Sequence, residues 1–181
     1  MKKIANWDSV RDFSEVSALP VGPQPCQITN VTDVEGKSYL KVDFEIVSGP
    51  FKGWYQSMME SKGVWYGTLN RSYKDSALGF FKAFVTAVEK SNPGYVWDWN
   101  EKSLVGKYVV VNYREEEDVY NDEIRTRVRP FEFRSIPAWK SGDVKEAPKK
   151  SLSDSERKAF EAAHSSEAGT TFETIEDDLP F

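Results

Sequence analysis

Between Lys62 and Lys74 the chain reads Lys-Gly-Val-Trp-Tyr-Gly-Thr-Leu-Asn-Arg-Ser-Tyr-Lys, setting three aromatic rings, Trp65, Tyr66 and Tyr73, among three cations, Lys62, Arg71 and Lys74. This is the chemistry of binding. Unpaired bases stack on aromatic faces at about 1–3 kcal/mol each whatever their identity, while Lys and Arg follow the phosphates. A second basic feature is Arg125, Arg127 and Arg129, which share one face of a strand opposite Ile124, Thr126 and Val128. Alternate arginines repel one another unless something anionic lies across them. Trp54 and Lys107 complete the candidate contacts to single-stranded nucleic acid. Each has a plainer reading. Trp65 and Tyr66 are large enough to fold back and cover a core, and Glu115, Glu116, Glu117, Asp118, Asp122 and Glu123 offer the arginines internal partners.

Catalysis finds no support. The run Glu115 to Asp118 sends its side chains to alternate sides of an extended segment, so it is poorly built to clamp two metal ions and reads as a solvated hairpin tip. Gly106-Lys107 lacks the preceding glycine of a phosphate-binding loop. One cysteine, Cys26, and one histidine, His164, leave no disulfide, no Cys/His zinc site and no histidine triad. Cys26 is expected to be a buried strand residue, and neither cofactor nor metal is expected.

The other informative residues close the chain: Glu176, Asp177, Asp178, Leu179, Pro180 and Phe181. Phe181 offers an aromatic anchor and its carboxylate a charge, while Pro180 limits the freedom lost on binding. That is a way for a partner protein to capture a chain end. The alternative is a frayed acidic terminus.

Charge supports a division of labour. The chain has 181 residues and a net charge of −5. Through Lys150 there are 22 Lys and Arg against 21 Asp and Glu, and from Ser151 onward 2 against 8. The acidity belongs to the tail, and a near-neutral body can still carry a local basic path. No apolar run approaches the roughly 20 residues needed to cross a bilayer, and Met1-Lys2-Lys3 is not followed by a signal-peptide core. A cytoplasmic protein is expected.

The elements that must position these residues read mostly as strands. After a short helix over Trp7 to Val16 and an extended Leu19-Pro20-Val21-Gly22-Pro23-Gln24-Pro25 entry, Cys26 to Val34 is the first strand. Tyr39 to Val47 is the second, with Leu40, Val42, Phe44 and Ile46 facing inward and Lys41, Asp43 and Glu45 facing water. Gly53 to Glu60 reads as a third strand and Lys62 to Asp75 as a loop. Ala77, Phe80, Phe81, Phe84, Val85 and Val88 then form a helical stripe, capped by Asp75 or Ser76 and ended by Asn92-Pro93-Gly94. Val105 to Tyr113 and Ile124 to Ser135 are strands joined by the acidic connection 114–123. Ser153 to His164 is transiently helical, with Glu156 at the capping-box position. Three strands, a helix and two strands is the order of an OB-fold, a five-stranded barrel with its helix between the third and fourth strands. The division expected is a barrel domain over 1–138, a flexible linker over 139–172 and an acidic tip over 173–181.

The chain resembles the single-stranded-DNA-binding proteins of phages and mobile elements of Gram-positive bacteria. The similar stretches are Leu19 to Gly53, Arg71-Ser72-Tyr73-Lys74 leading into Ala77-Leu78 and Phe80-Phe81-Lys82, Asn92-Pro93-Gly94-Tyr95 and Leu104-Val105-Gly106-Lys107. Asp177-Asp178-Leu179-Pro180-Phe181 is similar to the acidic tip of bacterial single-stranded-DNA-binding proteins. The resemblance implies a barrel that coats single-stranded DNA without sequence preference. It further implies a tip that recruits replication, recombination and repair enzymes, with Leu179, Pro180 and Phe181 as the apolar plug and Glu176, Asp177 and Asp178 as steering charges. Leu179 stands where isoleucine is usual, a conservative change. The acidic hairpin stands where OB-folds often grip DNA, which puts that loop's role in question. Two alternatives stay open: an adaptor whose barrel binds protein and whose tip mimics a host tail, and an RNA-binding role. Barrel edges also leave self-association open.

Overall fold

The computed structural model describes residues 18–165. The helix expected over Trp7 to Val16 and the tip from Glu176 to Phe181 lie outside them. The described residues gather into two units, 18–115 with 128–149 and 116–127 with 150–165.

The architecture is mostly β: an open, five-stranded antiparallel sheet in the order β3-β2-β1-β4-β5, with a few helices. Strand β1, Gly22–Val34, carries Pro23 and Pro25 where it pairs with β4 alone, because its ladder with β2 starts at Cys26. A residue with no N–H to donate is tolerated there. The register shifts between Ile28 and Asn30, a bulge that bends the long strand from one neighbour toward the other. Strand β2, Tyr39–Ile46, buries Leu40, Val42, Phe44 and Ile46 as its alternation predicts.

Its opposite face is not simply wet. Asp43 is nearly buried, accepting hydrogen bonds from Thr68 Oγ1 (2.6 Å) and Asn30 Nδ2 (3.1 Å). Glu45 reaches forward to accept from the backbone N–H groups of Tyr55 (3.1 Å) and Gln56 (2.6 Å). Those two donors open a helix, and their capture explains the largest departure from expectation. The segment read as a third strand is helix α1, Trp54–Lys62, entered and left through Gly53 (φ 74°) and Gly63 (φ 70°) in the left-handed region. Met, Gln, Glu and Lys favour helix, and a carboxylate from another strand satisfies the first turn. The true third strand, β3, Thr68–Ser72, falls within the stretch expected to be a loop, and pairs with β2.

Helix α2, Leu78–Ser91, buries Phe81, Phe84, Val85, Ala87 and Val88, each large side chain contributing about 1.5–3 kcal/mol. Phe80, expected on that stripe, is 73% exposed. Neither Asp75 nor Ser76 caps the helix. They lie in a 3-10 turn, Asp75–Ala77, and no side chain caps Ala77. Asn92 does end it, donating to the Val88 carbonyl at 2.7 Å. Strand β4, Tyr108–Tyr120, runs further than expected and β5, Glu123–Arg134, starts one residue early, so the acidic connection is itself strand up to a two-residue turn. Helix α3, Ile136–Lys140, follows, its first turn closed by the Ser135 hydroxyl accepting from Ala138 N–H. No pairing joins β3 to β5 among the described residues. Arg71 of β3 nevertheless donates to the Phe131 carbonyl of β5 at 3.1 Å.

The core of the first unit includes Cys26, buried as expected, with its thiol pushed up by burial. Beside it Tyr55 and Tyr113 share a buried hydroxyl hydrogen bond of 2.8 Å. In the second unit, helix α4, Asp154–Ser165, forms the expected capping box: Ser153 N–H donates to Glu156 Oε2 (2.9 Å) and Glu156 N–H to Ser153 Oγ (3.3 Å). Glu117 holds this helix through Arg157 Nη2 (3.0 Å) and Leu152 N–H (3.1 Å).

Candidate nucleic-acid interface

Strands β4 and β5 meet at Asn121 (φ 49°) and Asp122 (φ 58°), the paired left-handed conformations of a tight hairpin turn, which Asn and Asp tolerate best after glycine. The twist of such a turn keeps the side chains beside it close together. Tyr120 is 51% exposed, and the Arg125 guanidinium lies 3.7 Å from its ring centroid. The Arg127 guanidinium lies 5.3 Å from the same centroid, with its Nε 3.8 Å from Asp118 Oδ1. Two cations thus share one ring. Arg125 Nε and Nη2 are shielded from solvent and have no hydrogen-bond partner. Those nitrogens form the edge with which a guanidinium takes a carboxylate or phosphate through two parallel bonds. Chemically the cluster is a stacking surface with an unmet demand for an anion.

The other expected contacts are dispersed. Trp54 and Trp65 pack against the core, Trp54 edge-on to Phe51 and Trp65 donating through Nε1 to the Gly67 carbonyl at 3.0 Å. Arg71 is spent inside the first unit, 4.8 Å from the Phe133 centroid, and burial lowers its pKa to about 10 against the opposing charge of Glu132. Tyr73 donates to Asp33 Oδ1 at 2.9 Å and meets Phe81 edge-on. Tyr66 and Lys74 are exposed, and Arg129 lies exposed further along β5. The structure therefore brings Arg125 and Arg127 together and leaves the loop residues with separate tasks.

Lys107 belongs to a smaller arrangement in the first unit. Its Nζ lies 4.7 Å from the Tyr95 centroid, at a polar cavity of about 660 Å3 that Asn92, Asp98 and Ser103 also line. Hydrogen bonds from Ser103 and the Asn100 N–H hold the Asp98 carboxyl below its ordinary value, so its charge persists there. Asn92 locks the start of β4 to this cavity, accepting from Tyr108 N–H (2.9 Å) and donating to its carbonyl (2.8 Å). The Tyr108 ring is about half exposed.

Sequence reasoning missed Tyr95 and Tyr120 as ring partners of these cations. Tyr120 was hidden because 114–123 reads as a solvated acidic hairpin tip, whereas the strands run on through it to the two-residue turn at Asn121 and Asp122. Also missed was an apolar cleft of about 640 Å3 beside α2, lined by Tyr73, Phe81, Trp97 and Trp99. Among the described residues, no three of His, Cys, Asp and Glu gather where they could hold a metal ion. No helix among them is long and apolar enough to cross a membrane. No protein-family model matches the chain, and comparison with curated proteins returns no match.

Proposed function

We propose that this chain binds single-stranded DNA without sequence preference, on a barrel of the OB type, and performs no catalysis of its own. The observation that carries the reading is the Tyr120 ring shared by Arg125 and Arg127, with one guanidinium edge lacking an acceptor. A base stacks on the open part of the ring, and a phosphate completes the arginine. Lys107 with Tyr95 supplies a second cation and aromatic pair in the first unit. The OB reading is supported by the strand order β3-β2-β1-β4-β5, which needs only β3 beside β5 to close, and by the Arg71 hydrogen bond between those strands. The resemblance to phage and mobile-element proteins suggests a task in DNA replication, recombination or repair, with residues 176–181 recruiting partner enzymes.

Titrating the full chain into fluorescein-labelled oligo-dT tests this directly. The expected result is micromolar or tighter binding at low salt that weakens steeply as salt rises. Absence of binding at low salt overturns the reading. Tighter binding to oligo-U than to oligo-dT transfers it to RNA.

A further inference from the structure

The cleft beside α2 has a character opposite to that of the hairpin cluster. Leu40, Phe81, Val85 and Trp97 line it, and Leu78 and Trp99 stand at its mouth, Trp99 with 82% of its surface exposed. Large apolar groups exposed to water around one concavity, Leu78 and Trp99 here, mark a surface used in association. The Trp97 Nε1–H is shielded from solvent and has no acceptor. A buried donor of this kind is usually matched.

Charge decides what is to cover it. Asp33 and Glu101 line the cleft against a single cation, Lys82. Lys102, next to Glu101, is engaged by the Val31 carbonyl at 2.8 Å. The Tyr73 phenol is held above its ordinary value by its hydrogen bond to Asp33, by partial burial and by the charges of Asp33 and Glu35. A phosphate backbone is repelled from such a rim, whereas Lys or Arg is drawn to it.

We propose that the cleft docks a basic, apolar-anchored segment of a partner protein. One large apolar side chain enters beside Phe81 and Trp97, and flanking Lys or Arg side chains meet Asp33 and Glu101. This surface does not depend on the nucleic-acid reading, and either stands if the other fails.

The test presents the full chain with a fluorescein-labelled amphipathic peptide of Leu and Lys, with its Leu and Glu counterpart, and with oligo-dT as competitor. The Leu-Lys peptide is expected to bind and quench tryptophan fluorescence. Trp99→Ala and Glu101→Lys are each expected to weaken it about tenfold. Glu60→Lys, the same charge change on α1, is expected to leave affinity within about twofold, as for a charge far from the contact. Oligo-dT does not displace the peptide. Failure of the Leu-Lys peptide to bind, equal binding of the Leu-Glu peptide, indifference to both cleft substitutions, equal weakening by Glu60→Lys, or displacement by oligo-dT would each overturn the proposal.

Discussion

Arg71 and Arg125 each lay a guanidinium on an aromatic ring, yet they serve different ends. Arg71 lies on Phe133, a core residue 5% exposed, and its donors meet the carbonyls of Phe131 and Asn70. Arg125 lies on Tyr120, whose ring is half exposed, and its Nε and Nη2 meet nothing. The same pair of residue types is structural where the ring belongs to the core and a carbonyl takes the donor edge. It offers a ligand a ring where that ring faces water, beside a shielded donor edge that is still unmatched.

The largest effect that can break this comparison comes from Arg71→Ala. It removes packing over Phe133 and leaves the Phe131 carbonyl short of a donor, so urea denaturation should show a loss of about 2–4 kcal/mol. The folded fraction should bind oligo-dT as before. An unchanged denaturation midpoint together with weakened DNA binding would move Arg71 to the ligand side of the comparison.

On the hairpin the balance reverses. Tyr120→Ala removes a stacking surface worth about 1–3 kcal/mol per base, so oligo-dT affinity should fall about tenfold with little change in the denaturation midpoint. Arg127→Gln addresses the phosphate alone. The slope of log affinity against log salt should become shallower by about one. A weaker affinity at every salt with the slope intact would assign Arg127 to supporting Tyr120 rather than to the phosphate path.

The legible part of the fold was the part written in periodicity. Leu40, Val42, Phe44 and Ile46 on β2 and Phe81, Phe84, Val85 and Val88 on α2 entered the core where their spacing placed them, because burial of apolar groups is both the signal and the force. Helix α1 was not legible because its decisive contact, Glu45 to the N–H groups of Tyr55 and Gln56, comes from ten and eleven residues away. Strand β3 was hidden for a related reason. Gly67, just before it, lies so close to the Phe44 carbonyl and the Tyr55 ring that no side chain fits, a demand set by tertiary packing. At the candidate site, Arg125 and Arg127 were legible as alternate arginines of a strand. Their shared ring was not, because the distance from Tyr120 to Arg125 depends on how tight the acidic hairpin is, which the left-handed pair Asn121 and Asp122 sets.

The smallest expected effect concerns that acidity. The carboxylate of Asp118 lies 3.8 Å from Arg127 Nε, in a pair whose side chains keep 30% and 42% of their exposure. A pair this accessible contributes about 0.2–1 kcal/mol, so it competes with a phosphate for Arg127 without silencing the arginine. Asp118→Asn keeps the shape and removes the charge. If the acidic residues of the hairpin tune the arginines, the substitution should tighten oligo-dT binding about twofold to fivefold at low salt, with the gain fading as salt screens the pair. Weaker binding would instead mean that Asp118 holds Arg127 in place for the ligand. The hairpin acids would then be positioning groups, and the contrast with Arg71 would narrow to whether the ring is open to solvent.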